Sequence, residues 1–163
     1  LQGGGALLLA ADPGEEHNLN PLLKRYGMRL KNNFIFSDQA QAGQSDLLVL
    51  TYPGLSTHEV ARSLKEGENP ALFIASSVEI LKSENSDFAV NPVLEHLPNS
   101  VGRIDIDPKS SIVTQGQQFA AVVSEGIKEN YFRMAVVGDS DFMTNQFYTK
   151  PGNFDFALSY NHE

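Results

Sequence analysis

Residues Ala6-Leu7-Leu8-Leu9-Ala10-Ala11, closed by Asp12-Pro13-Gly14, form a continuous apolar run that ends at turn residues. An amphipathic helix or a half-solvated strand would interrupt such a run with polar side chains, so the pattern predicts a strand buried on both faces. Strands of that kind are expected in parallel sheets covered by helices, and the rest of the chain is read outward from there.

Asn20-Pro21 reads as a helix N-cap with proline at the first helical position, Leu22, Leu23 and Tyr26 as its apolar residues and Gly27 as its stop. Asp46 to Thr51 predicts a second buried strand. Pro53-Gly54 then turns the chain into Ser56-Thr57-His58-Glu59, whose Ser-x-x-Glu spacing predicts a capping box and a helix to about Glu66. Ala71 to Ala75, Phe119 to Ser124 and Arg133 to Val137 are three further strand candidates. Ser83 to Gly116, rich in Ser, Asn, Asp and Pro, is expected to be an excursion with marginal strands, one helix at Val93 to Leu97 and a short alternating piece at Arg103 to Asp107. Phe142 to Tyr148 and Phe154 to Tyr160 predict helical turns around Pro151-Gly152. Strand and helix signals alternate, so the expected class is a three-layer α/β domain with a mostly parallel sheet, a single domain over residues 1–163.

The chain has 163 residues, 41% of them hydrophobic, which suits one packed core. Its formal charge of -8 repels a phosphate backbone, and Lys24, Arg25, Arg29 and Lys31 read as the solvated face and exit of one short helix, so nucleic acid is not expected. The absence of cysteine excludes thiolate catalysis, disulfides and Cys-type zinc sites. No stretch approaches the roughly 18 apolar residues of a membrane helix, and Leu1-Gln2-Gly3-Gly4-Gly5 lacks the basic start of a signal peptide. Because a core strand begins within a few residues of Leu1, the domain is expected to be cut from a larger protein and to miss its first elements.

Val136-Val137-Gly138-Asp139-Ser140-Asp141-Phe142 places three polar side chains at the carboxyl end of a buried strand, where open α/β sheets bind ligands. Ser140, Asp155 and His162 follow the order of an α/β-hydrolase triad. The nucleophile elbow, however, needs glycine where Phe142 stands, and Asp155 and His162 fall within one expected helix. The Gly-Asp-Ser start is also similar to that of Gly-Asp-Ser-Leu lipases, in which it follows the first strand and is served by a downstream Asp-x-x-His that this chain lacks. In the structural alternative, Asp139 and Asp141 cap the next helix and hold the turn by accepting backbone N–H bonds. Asp12, Glu15, Glu16 and His17 gather donors suited to a divalent cation but match no metal-binding spacing, and His17, His58, His96 and His162 are scattered. Gly3-Gly4-Gly5 precedes its strand, whereas a phosphate-binding loop follows one. No metal and no cofactor are expected.

Four stretches together carry a resemblance: Gly3-Gly4-Gly5-Ala6-Leu7-Leu8-Leu9, Leu19-Asn20-Pro21-Leu22-Leu23-Lys24-Arg25-Tyr26-Gly27-Met28-Arg29-Leu30, Val136 to Phe142, and Gly152-Asn153-Phe154-Asp155. In order and spacing the chain resembles the GldG-like auxiliary proteins of ABC transport systems, and Arg62-Ser63-Leu64 matches the same family. The middle segment matches little, and Leu158 to Glu163 lacks the Asn-Trp-Leu of the family's last helix. The resemblance implies a periplasmic, extracytoplasmic domain of a membrane-anchored protein linked to gliding motility. It also implies a fold related to class I glutamine amidotransferases and flavodoxin-like sheets, and to the amino-terminal domain of an intraflagellar transport protein. Amidotransferase activity itself is excluded, because that chemistry requires a cysteine nucleophile.

The expected function is therefore a non-enzymatic binding or scaffolding domain, with ABC transporter subunits or other membrane-complex proteins as partners. Asp139, Ser140, Asp141, Asn145, Asn153 and Asp155 are its ligand- or partner-binding candidates. The competing expectations are a hydrolase or metal-assisted enzyme in the same cleft, and a carbohydrate or peptide binder stacked on Tyr52, Phe142 and Tyr148.

Overall fold

A computed structural model describes residues 4–14, 18–37, 47–62, 70–82, 87–127 and 131–143. In chain order the elements are β1 (Gly5–Ala10), α1 (Asn20–Lys24), β2 (Met28–Leu30), β3 (Phe34–Phe36), β4 (Leu48–Tyr52), α2 (Glu59–Arg62), β5 (Ala71–Phe73) and β6 (Val78–Ile80). They continue as β7 (Phe88–His96), β8 (Val101–Arg103), β9 (Ile112–Thr114), β10 (Phe119–Gly126), β11 (Phe132–Val137) and a 3-10 turn at Asp141–Met143.

The main sheet has the order β1-β11-β10-β7-β4-β5, with β6 joined to β10 and β2 joined to β6; β3, β8 and β9 form a second, three-stranded sheet. Only β1 and β11 run parallel, and every other described pair is antiparallel. Strands make up 45% of the described chain and helices 10%. The expected three-layer α/β class with a mostly parallel sheet is thus corrected: the domain is mostly β, with a mixed, largely antiparallel sheet.

The apolar runs do mark strands covered on both faces. Leu9, Val136 and Val122 lie in register across β1, β11 and β10, and with Leu7, Met134 and Leu23 of α1 they belong to one core cluster. Their neighbours Leu8, Ala135 and Val123 point the other way, into a cluster with Val60 and Ala61 of α2, Leu72, Leu94 and Phe142. Alternation of side chains across a strand makes two-sided burial a matter of what lies above and below, not of strand direction.

The expected helix at Val93 to Leu97 is instead the end of β7, the longest strand, which pairs with β10 on one side and β4 on the other. Pro92 explains the difference, since proline cannot donate to a ladder and argues against a central strand. The sheet absorbs it at a register irregularity between β7 and β10, and the Pro92 carbonyl accepts the Ser56 hydroxyl at 2.6 Å. That bond also engages the oxygen of the expected capping box, although Ser56 Oγ still accepts the His58 amide at 3.3 Å. Asn20 likewise is no cap: its Oδ1 accepts the Leu30 amide at 2.9 Å and its Nδ2 donates to the Leu30 carbonyl at 3.1 Å, tying α1 to β2.

A buried polar hub joins the two sheets. Asn33 Oδ1 accepts the Ser77 amide at 2.9 Å, the Ser77 hydroxyl at 3.0 Å and the Ser76 hydroxyl at 3.2 Å, while its Nδ2 donates to Thr114 of β9 at 2.7 Å. Thr114 in turn donates to Gln118 at 2.6 Å, and Gln118 Nε2 donates to the Ser100 carbonyl at 3.1 Å. The hub fits because position 102 is glycine: a Cβ there would overlap the Thr114 and Asn33 side chains.

Candidate functional site

The parallel pairing of β1 and β11 brings the turns that follow them side by side. Gly138 leads out of β11, its carbonyl accepting the Ser76 amide at 2.6 Å and its amide donating to the Ala120 carbonyl at 3.1 Å. A Cβ at Gly138 would collide with the Ser76 backbone, so the turn closes here only with glycine. Asp139 is fully buried; its Oδ2 accepts the Phe73 amide at 2.8 Å and its Oδ1 the Asp141 amide at 2.7 Å. The Ser140 amide donates to Asp12 Oδ1 at 2.6 Å and the Ser140 hydroxyl to Asp12 Oδ2 at 2.5 Å. Asp12 thereby grips the turn across the parallel seam.

Burial pushes the Asp139 carboxyl up to about 7; the Phe73 and Asp141 amides work against this, and the neighbouring Asp12 and Asp141 carboxylates add to it. Asp139 is therefore a carboxyl held between two backbone donors in a dry turn.

Of the six candidate residues, Asp139, Ser140 and Asp141 sit together here, whereas Asn145, Asn153 and Asp155 lie outside the described residues. His162, Tyr148, Glu15, Glu16 and His17 also lie outside them. The Ser140 hydroxyl is bonded to Asp12, the residue that the sequence groups with Glu15, Glu16 and His17. Among the described residues no group of three metal-ligating side chains is present, and no helix is long and apolar enough to cross a membrane. Phe142 offers no stacking surface, because only 1% of it is exposed and it packs in the core.

A different surface has no counterpart among the sequence expectations. The β8–β9 hairpin exposes Ile104 (63%), Ile106 (45%), Ile112 (43%) and Val113 (50%). Ile112 and Val113 are successive strand residues and so face opposite sides, which leaves β9 half-open to solvent on both. β9 pairs only with β8 among the described strands, and two clefts of about 430 and 380 Å³ share Lys31, Val113 and Thr114 along it. The hairpin connection is well built: Asp107 Oδ1 accepts the Lys109 amide at 2.8 Å, the Ser110 hydroxyl donates to the Asp105 carbonyl at 3.1 Å, and Arg103 donates to the Ser110 carbonyl. Its signal in sequence is the alternating piece at Arg103 to Asp107, too short to separate a hairpin from an irregular excursion.

No protein-family profile matches the chain. No curated protein matches it in sequence. Among solved structures it is similar to one described as "mmIFT52 N-terminal domain", with a TM-score of 0.69 and 16% identity over 96% of this chain. The chain spans 63% of the length of that structure. At this identity the likeness is one of fold. The expected relation to the amino-terminal domain of an intraflagellar transport protein agrees with this likeness, whereas the GldG-like assignment, the amidotransferase-like fold, the role as an ABC transporter auxiliary and the ABC subunits as partners are corrected by it. The hydrolase, metal-assisted and carbohydrate- or peptide-cleft alternatives gain no support from it either.

Proposed function

We propose that this domain is a non-enzymatic protein-binding module that docks an extended apolar segment of a partner chain along the free edge of β9. The observation that carries the reading is the exposed Ile104, Ile106, Ile112 and Val113 on a hairpin with one unpaired edge among the described residues. An edge strand with apolar side chains and no charge on it invites pairing, and natural sheets otherwise blunt such edges. Main-chain bonds to the edge would supply affinity, and the apolar side chains would select the partner. The polar turn at Asp139 supports the binding reading, because its carboxylates and the Ser140 hydroxyl hold backbone and each other. The fold likeness to an intraflagellar transport domain agrees with a role in a protein complex.

The test is site-specific photo-crosslinking in the cell that makes the protein, with the crosslinker at Val113 and, as control, at Tyr131, which is 76% exposed. Crosslinks from position 113 to another protein, lost in Ile112→Lys, are expected. Crosslinking from 113 no stronger than from 131 would refute the reading.

A further inference from the structure

The outer face of the β2–β6 ribbon walls the two clefts beside β9. The register sets Arg29 opposite Glu79 and Leu30 opposite Val78, so alternation sends Met28, Leu30 and Val78 into the core and Arg29 and Glu79 outward. The ladder continues one residue further, the Lys31 amide donating to the Ser77 carbonyl at 2.9 Å, and Lys31 thus shares the outer face with Arg29. The Asn33 bond to Thr114 at 2.7 Å pins β9 beside that face. A segment lying in either cleft therefore meets Val113 and Lys31 together. Arg29, Lys31 and Glu79 are the charged groups among the described lining residues, and they do not balance. Glu79 Oε2 pairs with Arg29 at 2.5 Å, whereas its Oε1 stands 4.0 Å from Lys31, too far for a hydrogen bond. The Lys31 ammonium has three donors to place, and 32% of its side chain stays open to solvent. One positive charge is left over beside the edge, in a chain whose formal charge is -8.

We propose that the partner segment docked on β9 is acidic as well as apolar, and that Lys31 selects it by taking the carboxylate of one of its Asp or Glu residues. The selection deepens the edge-docking reading and rests on it. Successive residues of an added strand face opposite sides, so the matching sequence interleaves apolar side chains, which cover the exposed isoleucines and Val113, with acidic ones directed at Lys31. The negative charge of the domain as a whole repels an acidic segment, so a cation beside the edge decides where such a segment settles. A lysine beside an edge can also serve only to discourage pairing. That role predicts a different response to its removal: every incoming strand would then bind better, whatever its charge.

The experiment is an NMR titration of the full chain with the peptide acetyl-Glu-Val-Glu-Val-Glu-Val-amide and with its isostere carrying Gln for Glu, following the backbone amides of Ile112, Val113 and Thr114. As a strand the first peptide presents all its carboxylates on one face in any register. At low salt it is expected to bind about three- to fivefold more tightly than the second, the range of a solvent-exposed ion pair. The preference should fade as salt is raised to about 0.5 M. Lys31→Gln should weaken the Glu peptide and leave the Gln peptide unchanged, erasing the preference, while Lys24→Gln on α1 should leave it intact. Equal binding of the two peptides, or an equal gain for both in Lys31→Gln, would overturn the selection and leave edge docking standing. If neither peptide moved the β9 resonances, the selection would fall together with the edge-docking reading.

Discussion

Replacing Asp139 by asparagine is expected to make the protein more stable above neutral pH while leaving it nearly unchanged in mild acid. The carboxyl is buried between the Phe73 and Asp141 amides, and its affinity for a proton in the folded chain is raised from the ordinary 3.8 to about 7. The folded state then holds a proton that the unfolded chain has released, so the stability present below about pH 4 declines as pH rises to about 7 and is level beyond it. At about 1.36 kcal/mol for each pH unit, that interval corresponds to at most about 4 kcal/mol. The value of about 7 is what remains after the two amide donors have favoured the carboxylate. The carboxamide of Asp139→Asn would match the protonated carboxyl in shape, with one oxygen to accept an amide and one group that cannot, so the two proteins should agree near about pH 4.5. His96 contributes a slope of opposite sign, because burial lowers it from 6.5 to about 4 and its stability is lost as pH falls through that window. It is present in both proteins and cancels in the difference. Urea unfolding of both from about pH 4.5 to about pH 8.5 measures that difference directly. A difference that stays constant over the range would show Asp139 ionised throughout, held by its backbone donors, and the reasoning would fail.

Three other outcomes are expected. Gly138→Ala drives a methyl into the Ser76 carbonyl and should cost about 3 kcal/mol, read as a lowered Tm; a loss under about 0.5 kcal/mol would mean the turn can shift. Met134→Ala empties a fully buried site between β1 and β10 and should cost about 2–5 kcal/mol by denaturant midpoint with an unchanged slope. Burial acts to raise the Glu125 carboxyl, but Arg133, bonded at 2.6 Å, and His58, at 3.0 Å, outweigh it and hold the group below its usual range. Its stability is therefore present above about pH 4.5 and lost as pH falls, so Glu125→Gln should cost about 1 kcal/mol at pH 7 and little near pH 3, as thermal melts at the two pH values would show.

The strands that carry the core are legible because burial leaves a compositional trace: β1, β10 and β11 appear as apolar runs closed by polar turns. Their direction is not legible, since two-sided burial looks the same in a parallel and an antiparallel sheet, and the expected α/β class fails on that inference. β7 is hidden by Pro92 and Asn91, whose presence in a central strand depends on an irregularity in its pairing with β10 that no local pattern encodes. At the Asp139 turn the polar residues stand out in the sequence, but the hand of Asp12 on Ser140 does not, because the pair is joined only by the seam between β1 and β11. The contact of Tyr52 with Glu95 is out of reach for the same reason, because only the register of β4 on β7 sets the two side by side.

The seam between β1 and β11 also sets a schedule for synthesis. Gly5 must wait for Phe132, its register partner, and well over a hundred residues lie between them. At ~5–20 residues per second the ribosome needs roughly 6–25 s to cover that distance. Throughout that interval Leu7, Leu8 and Leu9 lack β11, the one strand that pairs with β1 among the described residues, and an apolar stretch of this kind is what chaperones hold. The nascent chain's dependence on such help is expected to follow the speed of translation between the two strands, whatever the stability of the finished sheet.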